Sequence, residues 1–231
     1  MIPKKIHFCW FGGAPLPPNV ESCISSWRKN APDFEIIRWD EKNFPVAKFE
    51  FSEQAYEHKK WAFVSDLARL WVLNKEGGIY FDTDVELLKP LDPYLMHDAF
   101  MGFEFGAKDP NMGALSTAII GAEANNQTIR KFLDFYRNRK FITQGQMNLT
   151  PNTLHLTKVL FDVESVNHQE KVFLDGMTIY PPSFFSPKNY FSGETHRTKD
   201  TVSIHHYDGD WLSVYHKVLI RLKRFFLQIV K

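Results

Sequence analysis

The apolar positions at the start of the chain read as strand, helix, strand. Residues 4–11 (KKIHFCWF) form a short apolar run closed by Gly12, Gly13 and the proline-rich loop APLPPN. Over residues 19–30, Val20, Cys23, Ile24 and Trp27 recur at spacings of three and four, the stripe of an amphipathic helix. Residues 34–39 (FEIIRW) make the second strand, and this opening predicts an α/β sheet. A helix is then predicted over residues 53–75, with Trp61, Val64, Leu67, Ala68 and Trp71 on its apolar face and Gly77-Gly78 as its stop. IYFDTDVELL, residues 79–88, leaves the glycine turn as a strand.

Further strands are expected at residues 99–105, 117–120, 177–185 and 201–206. A helix is expected at 129–139, and 151–160 reads as a loop entering another helix. No internal repeat or linker interrupts the pattern. The expectation is one domain over residues 1–211, with 107–160 as a helical excursion, followed by a distinct tail at 212–231. That tail carries Lys217, Arg221, Lys223, Arg224 and Lys231, and no acid follows Asp210. Val218, Leu219, Leu222, Phe225, Phe226 and Ile229 supply an apolar side at helical spacing. A basic amphipathic helix of this kind can dock on its own domain, meet a partner subunit or lie on an anionic membrane surface.

Composition narrows the class. The 231 residues are 44% hydrophobic and 24% charged, which excludes a largely disordered chain. Lys plus Arg is 28 against 27 for Asp plus Glu, a net charge of +1, which argues against a globally basic nucleic-acid binder. Cys9 and Cys23 are too few for a disulfide framework or a thiolate zinc site, and fit a reducing compartment. The opening run reads as a strand and not as a signal peptide, and no stretch of 18 apolar residues occurs. With 21 Phe, 8 Tyr and 6 Trp, part of the aromatic surface is free to face a ligand or an interface.

The sharpest candidate chemistry is Asp82-Thr83-Asp84. On a strand both carboxylates would face one side, where they repel unless a cation or proton lies between them. Hard carboxylate oxygens suit Mg²⁺ or Mn²⁺ and leave coordination positions for a diphosphate. Asp208-Gly209-Asp210 has the same spacing, so the motif alone is weak. Its setting at the end of a short apolar strand is where α/β sheets bind ligands. Asp66 and Arg69 share a helix face upstream; Arg69 would either fork onto phosphate or pair with Asp66. Tyr80 would bond a ligand or fill the core. His205 and His206 adjoin on the last strand and face opposite ways, so one of them can complete a metal shell. No H-E-x-x-H helix, P-loop, G-x-G-x-x-G fingerprint or G-x-S-x-G elbow is present. Zinc hydrolase, ATPase, dinucleotide-dependent and serine-hydrolase readings lose support accordingly. What remains is metal-dependent chemistry on a phosphate-bearing substrate, as in a phosphoryl or nucleotidyl transferase, or a membrane-associated binding or scaffold protein without catalysis.

Three segments together resemble glycosyltransferase family 32, which includes bacterial capsular-polysaccharide transferases and the yeast initiating α-1,6-mannosyltransferase. They are IPKKIHFCWFGG, SWRKNAPDFEIIRWDE and, most specifically, VSDLARLWVLNKEGGIYFDTD at residues 64–84. The likeness extends weakly through AIIGAE, IYPPSFFSP and HHYDGDW. It implies a GT-A type fold, a single Rossmann-like mixed sheet flanked by helices. It also implies a retaining transfer from a nucleotide-sugar that depends on Mn²⁺ or Mg²⁺. UDP-galactose or a similar UDP-sugar is the expected donor, with GDP-mannose behind it. By the same resemblance Asp82 and Asp84 hold the metal, with His206 favoured over His205 as the further ligand. Asp66 and Arg69 would contact the donor sugar and its phosphates, Trp10 would stack on the base, and Tyr80 and Trp211 would line the pocket. A glycan or lipid-linked oligosaccharide would accept the sugar in surface-polysaccharide synthesis, in the cytoplasm at the inner face of the membrane. Two stretches depart from the family pattern: NLTPNTLHLT lacks a Gly-Pro before its helix, and DPNMGALSTAIIG offers no acid directed at the donor sugar.

Overall fold

A computed structural model describes residues 1–106, 109 and 111–208. Trp211 and the 212–231 tail lie outside the described residues. In chain order the elements are β1 (Lys5–Cys9), α1 (Pro18–Asn30), β2 (Glu35–Trp39), α2 (Glu50–Glu57), α3 (Trp61–Glu76), β3 (Gly78–Phe81), β4 (Val85–Leu87), β5 (Ala99–Phe103), β6 (Met112–Gly113) and β7 (Leu115–Ala122). They continue with α4 (Gln127–Arg137), the hairpin β8 (Ile142–Thr143) and β9 (Gln146–Met147), and α5 (Asn152–Phe161). After these come β10 (Val166–Asn167), β11 (Val172–Leu174), β12 (Met177–Tyr180), the single turn α6 (Pro182–Phe185) and β13 (Ser203–His205).

Seven strands form the central sheet in the order β11-β12-β5-β7-β3-β1-β2. β7 runs antiparallel to both its neighbours and β11 antiparallel to β12, while the other pairs are parallel. The strands are apolar on both faces because both faces are covered. Ile6, Phe8, Ile79, Phe81, Phe100 and Ile119 pack with Val20, Ile24 and Trp27 of α1. Cys9, Tyr80, Met101, Phe103 and Ile120 pack with Leu67, Leu70 and Leu73 of α3, backed by Phe132 of α4 and Leu156 of α5.

Four expectations are corrected. The helix expected at 53–75 is two helices, because the chain turns back at Lys59, whose φ is 56°, and the Lys60 amide closes the turn on Ala55 O at 2.8 Å. The strand expected at 79–88 breaks after Phe81, where the Val85 amide donates to Asp82 O at 3.1 Å. Asp82 and Asp84 therefore belong to a turn and not to a strand face. The helical excursion expected at 107–160 gives its fully buried β7 to the middle of the sheet before α4 and α5 form. At 177–185, Pro181 and Pro182 end the strand and open a helical turn, since proline has no amide to extend a ladder.

The Gly77-Gly78 stop does more than end α3. Both residues have positive φ, and a Cβ on Gly78 would stand 2.8 Å from His7 Nε2 and 2.9 Å from Lys5 O. Glycine alone lets β3 lie against β1 here. His7 is fully buried behind it. The Trp39 indole N–H donates to His7 Nδ1 at 3.1 Å, so Nε2 carries the proton and donates to Gly77 O at 2.8 Å. Burial lowers the imidazole pKa to about 4.

This histidine makes the fold acid-sensitive. An unfolded chain binds a proton at His7 near the ordinary value of 6.5, whereas the folded chain binds it only near 4. Stability should therefore fall as pH drops from 6.5 to 4, by on the order of 3 kcal/mol from this group. Urea midpoints across that window should decline less steeply in His7→Gln than in the parent, although the variant starts lower. Parallel declines would remove His7 from the account.

Candidate active site

The carboxyl ends of β1, β3 and β5, the start of β7 and the end of β13 converge at one edge of the sheet. Asp82, in the turn after β3, is held from beneath. The Tyr80 hydroxyl donates to Asp82 Oδ1 at 2.8 Å, and Arg69 reaches the same carboxylate from α3, Nη2 to Oδ1 at 3.2 Å and Nη1 to Oδ2 at 3.4 Å. Arg69 Nη2 also meets Asp66 Oδ1 at 2.9 Å, Nη1 donates to Thr117 O at 2.7 Å, and Nε donates to Ser65 O at 3.2 Å. Its guanidinium lies over the Tyr80 ring, 4.6 Å from the centroid.

The Thr117 carbonyl is available because the β5–β7 ladder is irregular: Met101 pairs with Ile120, yet Gly102 pairs with Ser116. An irregularity of this kind beside a site re-aims groups that the ladder would otherwise use. Arg69 is 4% exposed and Tyr80 1%. Both are held beneath Asp82, and Arg69 pairs with Asp66 and Asp82 together.

Asp84 is held from the other side. Its backbone carbonyl accepts from the His206 amide at 2.9 Å, its Oδ2 accepts from the Asp208 amide at 3.0 Å, and His205 Nε2 lies 3.2 Å from its Oδ1. Burial alone would raise the Asp84 pKa, but His205 and the amide bonds outweigh it and bring it to about 2. For His205, burial opposes protonation and Asp84 outweighs it, so the imidazole is raised above its ordinary range. Asp82, Asp84 and His205 each offer a ligand atom, all within 4.8 Å of one another. Two carboxylates and an imidazole are a donor set for Mn²⁺ or Mg²⁺. His205 Nδ1 is buried with no hydrogen-bond partner among the described residues, and the ring is oriented by Asp84 and by the Tyr207 ring against it. These residues fit a divalent cation.

The expectation of His206 as the metal ligand is corrected. β13 pairs antiparallel with β4, His205 opposite Val85 and Ile204 opposite Glu86, so His205 shares the face of the buried Val85 and Leu87 and reaches the carboxylates. His206 falls on the other side, with Nε2 3.0 Å from Glu86 Oε2. Trp10 follows β1 at the same sheet edge, half-buried, its indole N–H donating to Ala14 O at 2.7 Å. Asp66 lies behind Arg69; burial pushes its pKa up to about 6 against the pull of the guanidinium. Beyond it the Tyr136 hydroxyl donates to Asn152 Oδ1 at 2.9 Å. Burial pushes the Cys9 thiol up to about 12, which makes it an inert neighbour and no nucleophile.

One acid escaped the sequence reading. Glu104 is the first residue after β5 and lies beside Thr153 and Tyr207. Burial pushes its pKa up to about 7, and His205 pulls it the other way. Its signal in the sequence is an acid placed directly at the carboxyl end of an all-apolar strand, AFMGF.

Comparison with known proteins agrees with this geometry. Residues 17–101 match the family model described as a glycosyltransferase sugar-binding region containing DXD motif. The one Asp-x-Asp in that stretch is Asp82-Thr83-Asp84. This part of the chain is similar to DXD-type glycosyltransferase regions. Inositol phosphoceramide mannosyltransferase 1 of Schizosaccharomyces pombe is 31% identical over 111 residues, 43% of this chain and 33% of its own length. Subversion of eukaryotic traffic protein A of Legionella pneumophila is 28% identical over 163 residues, 58% of this chain and 24% of its own length. The chain thus spans between a quarter and a third of these relatives. A crystal structure of a glycosyltransferase involved in glycosylation of the major capsid of PBCV-1 superposes with a TM-score of 0.50 at 10% identity, over 94% of this chain and 98% of that one. The fold is of the GT-A glycosyltransferase type.

The two histidines give a direct test. Mn²⁺ affinity, read by electron paramagnetic resonance, should fall roughly tenfold or more in His205→Ala and stay within about twofold in His206→Ala. The reverse order would return the metal to His206.

Proposed function

We propose that this protein is a metal-dependent glycosyltransferase that moves a hexose from a nucleotide-sugar to a glycan or lipid-linked oligosaccharide, with retention at the anomeric carbon. One observation carries the reading: a triad fit for a divalent cation, Asp82, Asp84 and His205, stands at the carboxyl edge of the sheet, with Asp82 and Asp84 inside the stretch that matches the DXD region. A UDP-sugar such as UDP-galactose is the favoured donor. GDP-mannose follows, since a relative of this chain is named as a mannosyltransferase acting on inositol phosphoceramide. That name also supports a lipid-linked acceptor and, with it, surface-polysaccharide assembly.

Asp82, Asp84 and His205 would hold Mn²⁺ or Mg²⁺, which when bound supplies positive charge for the diphosphate and its departure. The chain's own residues do the rest. Arg69 and Tyr80 fix the Asp82 carboxylate before any ligand arrives, so little reorganisation remains for the reaction. Trp10, at the end of β1, offers an indole face for the base. An acceptor hydroxyl attacks the anomeric carbon on the face from which the diphosphate leaves. The bond from that carbon to the phosphate oxygen breaks with its electron pair on the nucleotide, and the hydroxyl proton passes to the departing phosphate. A sugar trapped covalently on a carboxylate would replace this route with two displacements.

The tail extends the reading to location. Its basic residues and helically spaced apolar side support contact with an anionic membrane, and hence a cytoplasmic enzyme bound peripherally where lipid-linked acceptors reside. The full chain should sediment with phosphatidylglycerol vesicles at low salt and lose them at high salt. Equal binding to phosphatidylcholine vesicles, or none to either, would end the membrane reading.

Nucleotide release from UDP- and GDP-sugars, with Mn²⁺, with Mg²⁺ and with chelator, tests the activity. Metal-dependent release from one donor is expected, falling at least about a hundredfold in Asp84→Ala. Absence of both nucleotide binding and release under every metal condition would refute the transferase reading.

A further inference from the structure

Asp82 and Glu104 occupy equivalent places. Each is the first residue after a strand, β3 and β5, and these two strands run parallel on either side of the antiparallel β7. Two strand spacings separate them along the sheet edge, roughly 10 Å, which is room for a sugar ring. The Glu104 backbone is fixed on both sides. Its amide donates to Ala114 O at 2.9 Å, and a Cβ on Gly113 would stand 1.7 Å from its carbonyl oxygen. Thr153, in the first turn of α5, and Tyr207, beyond β13, stand beside its carboxylate. The Tyr207 ring lies against that of His205, centroids 3.9 Å apart. Glu104 is thus held facing the metal-binding triad without belonging to it.

Charge shows that this acid is not there for the fold. Asp66, Asp82, Asp84 and Glu104 share their surroundings with one guanidinium, Arg69, and one imidazole, His205. A divalent ion on the triad would offset the Asp82–Asp84 repulsion, and Arg69 offsets Asp66. Among the described residues no lysine or arginine pairs with Glu104. A half-buried carboxylate beside three other acids costs stability, and an apolar or amide side chain would fill the place more cheaply. What a carboxylate offers here is acceptor capacity: its two oxygens carry about four lone-pair sites, and sugar hydroxyls are donors in search of them.

We propose, resting on the transferase reading above, that Glu104 binds a sugar hydroxyl at the transfer site, accepting it from the donor hexose or from the acceptor sugar. Binding of the bare nucleotide and of its sugar conjugate, with Mn²⁺, would be compared in the full chain and in Glu104→Gln, which keeps the volume. Donor hydrolysis by water and transfer to methyl hexosides would be measured alongside. In both arms Mn²⁺ and bare-nucleotide affinities should stay within about twofold. If the hydroxyl belongs to the donor, the extra affinity of the sugar nucleotide over the bare nucleotide should fall about tenfold. If it belongs to the acceptor, donor binding and hydrolysis should hold while transfer falls about tenfold. Glu104→Ala should exaggerate whichever loss occurs, with a thermal melt confirming that it folds. A Glu104→Gln protein equal to the parent in every assay would overturn the proposal, and so would one that loses Mn²⁺ and bare nucleotide together. A parent chain that binds no nucleotide at all would instead remove the transferase reading, and Glu104's role with it.

Discussion

The site depends on one buried cation. Arg69 projects from α3 through the layer between helix and sheet, and its three nitrogens meet Asp66, Asp82 and the carbonyls of Ser65 and Thr117. It thereby joins α3 to the turn after β3 and to β7. Replacing it with an apolar side chain would leave two acids without a counter-charge, a loss of about 3–5 kcal/mol for a pair of this kind. Lysine would not serve, because a single ammonium cannot span carboxylates and carbonyls in one plane. The spacing of Asp66 and Arg69 on the helix is therefore architecture: it builds the platform on which Asp82 is presented.

Around this cation the acids divide by environment. Asp84, bonded by an amide and an imidazole, stays ionised far into acid, whereas burial pushes Asp66 and Glu104 toward neutrality near physiological pH. Carboxyl groups of one site are thus set apart by what surrounds them. The ionised one, with Asp82, suits a hard cation. Asp66 instead pairs with Arg69.

Much of this was legible in the sequence because its signals are local. The stripe of Val20, Cys23, Ile24 and Trp27 predicts α1, and all four are buried. Asp66, Arg69 and the Asp-x-Asp fall within one short block. The failures are places where distant residues decide. Nothing local in IYFDTDVELL marks the turn at Asp82, which forms because β3 must end against β7 while β4 leaves to pair with β13. The choice between His205 and His206 is set by that same pairing, more than a hundred residues away along the chain. Glu104 carries no motif and becomes visible only when β5 is known to run beside β7 and parallel to β3. The helix break at Lys59 escaped because the helical pattern resumes within three residues of it.

The triad also ties the order of synthesis to the onset of chemistry. Its third member enters the chain about 120 residues after Asp84, so a nascent chain shows the ribosome's surroundings two acids and no imidazole. Until β13 has been made and has docked on β4, the half-built sheet has only two of the three ligand groups in place. An ion captured by all three would close that long loop and resist its reopening in proportion to its own affinity. The dispersal of the ligands along the chain therefore makes the complete cation site a property of the finished fold alone.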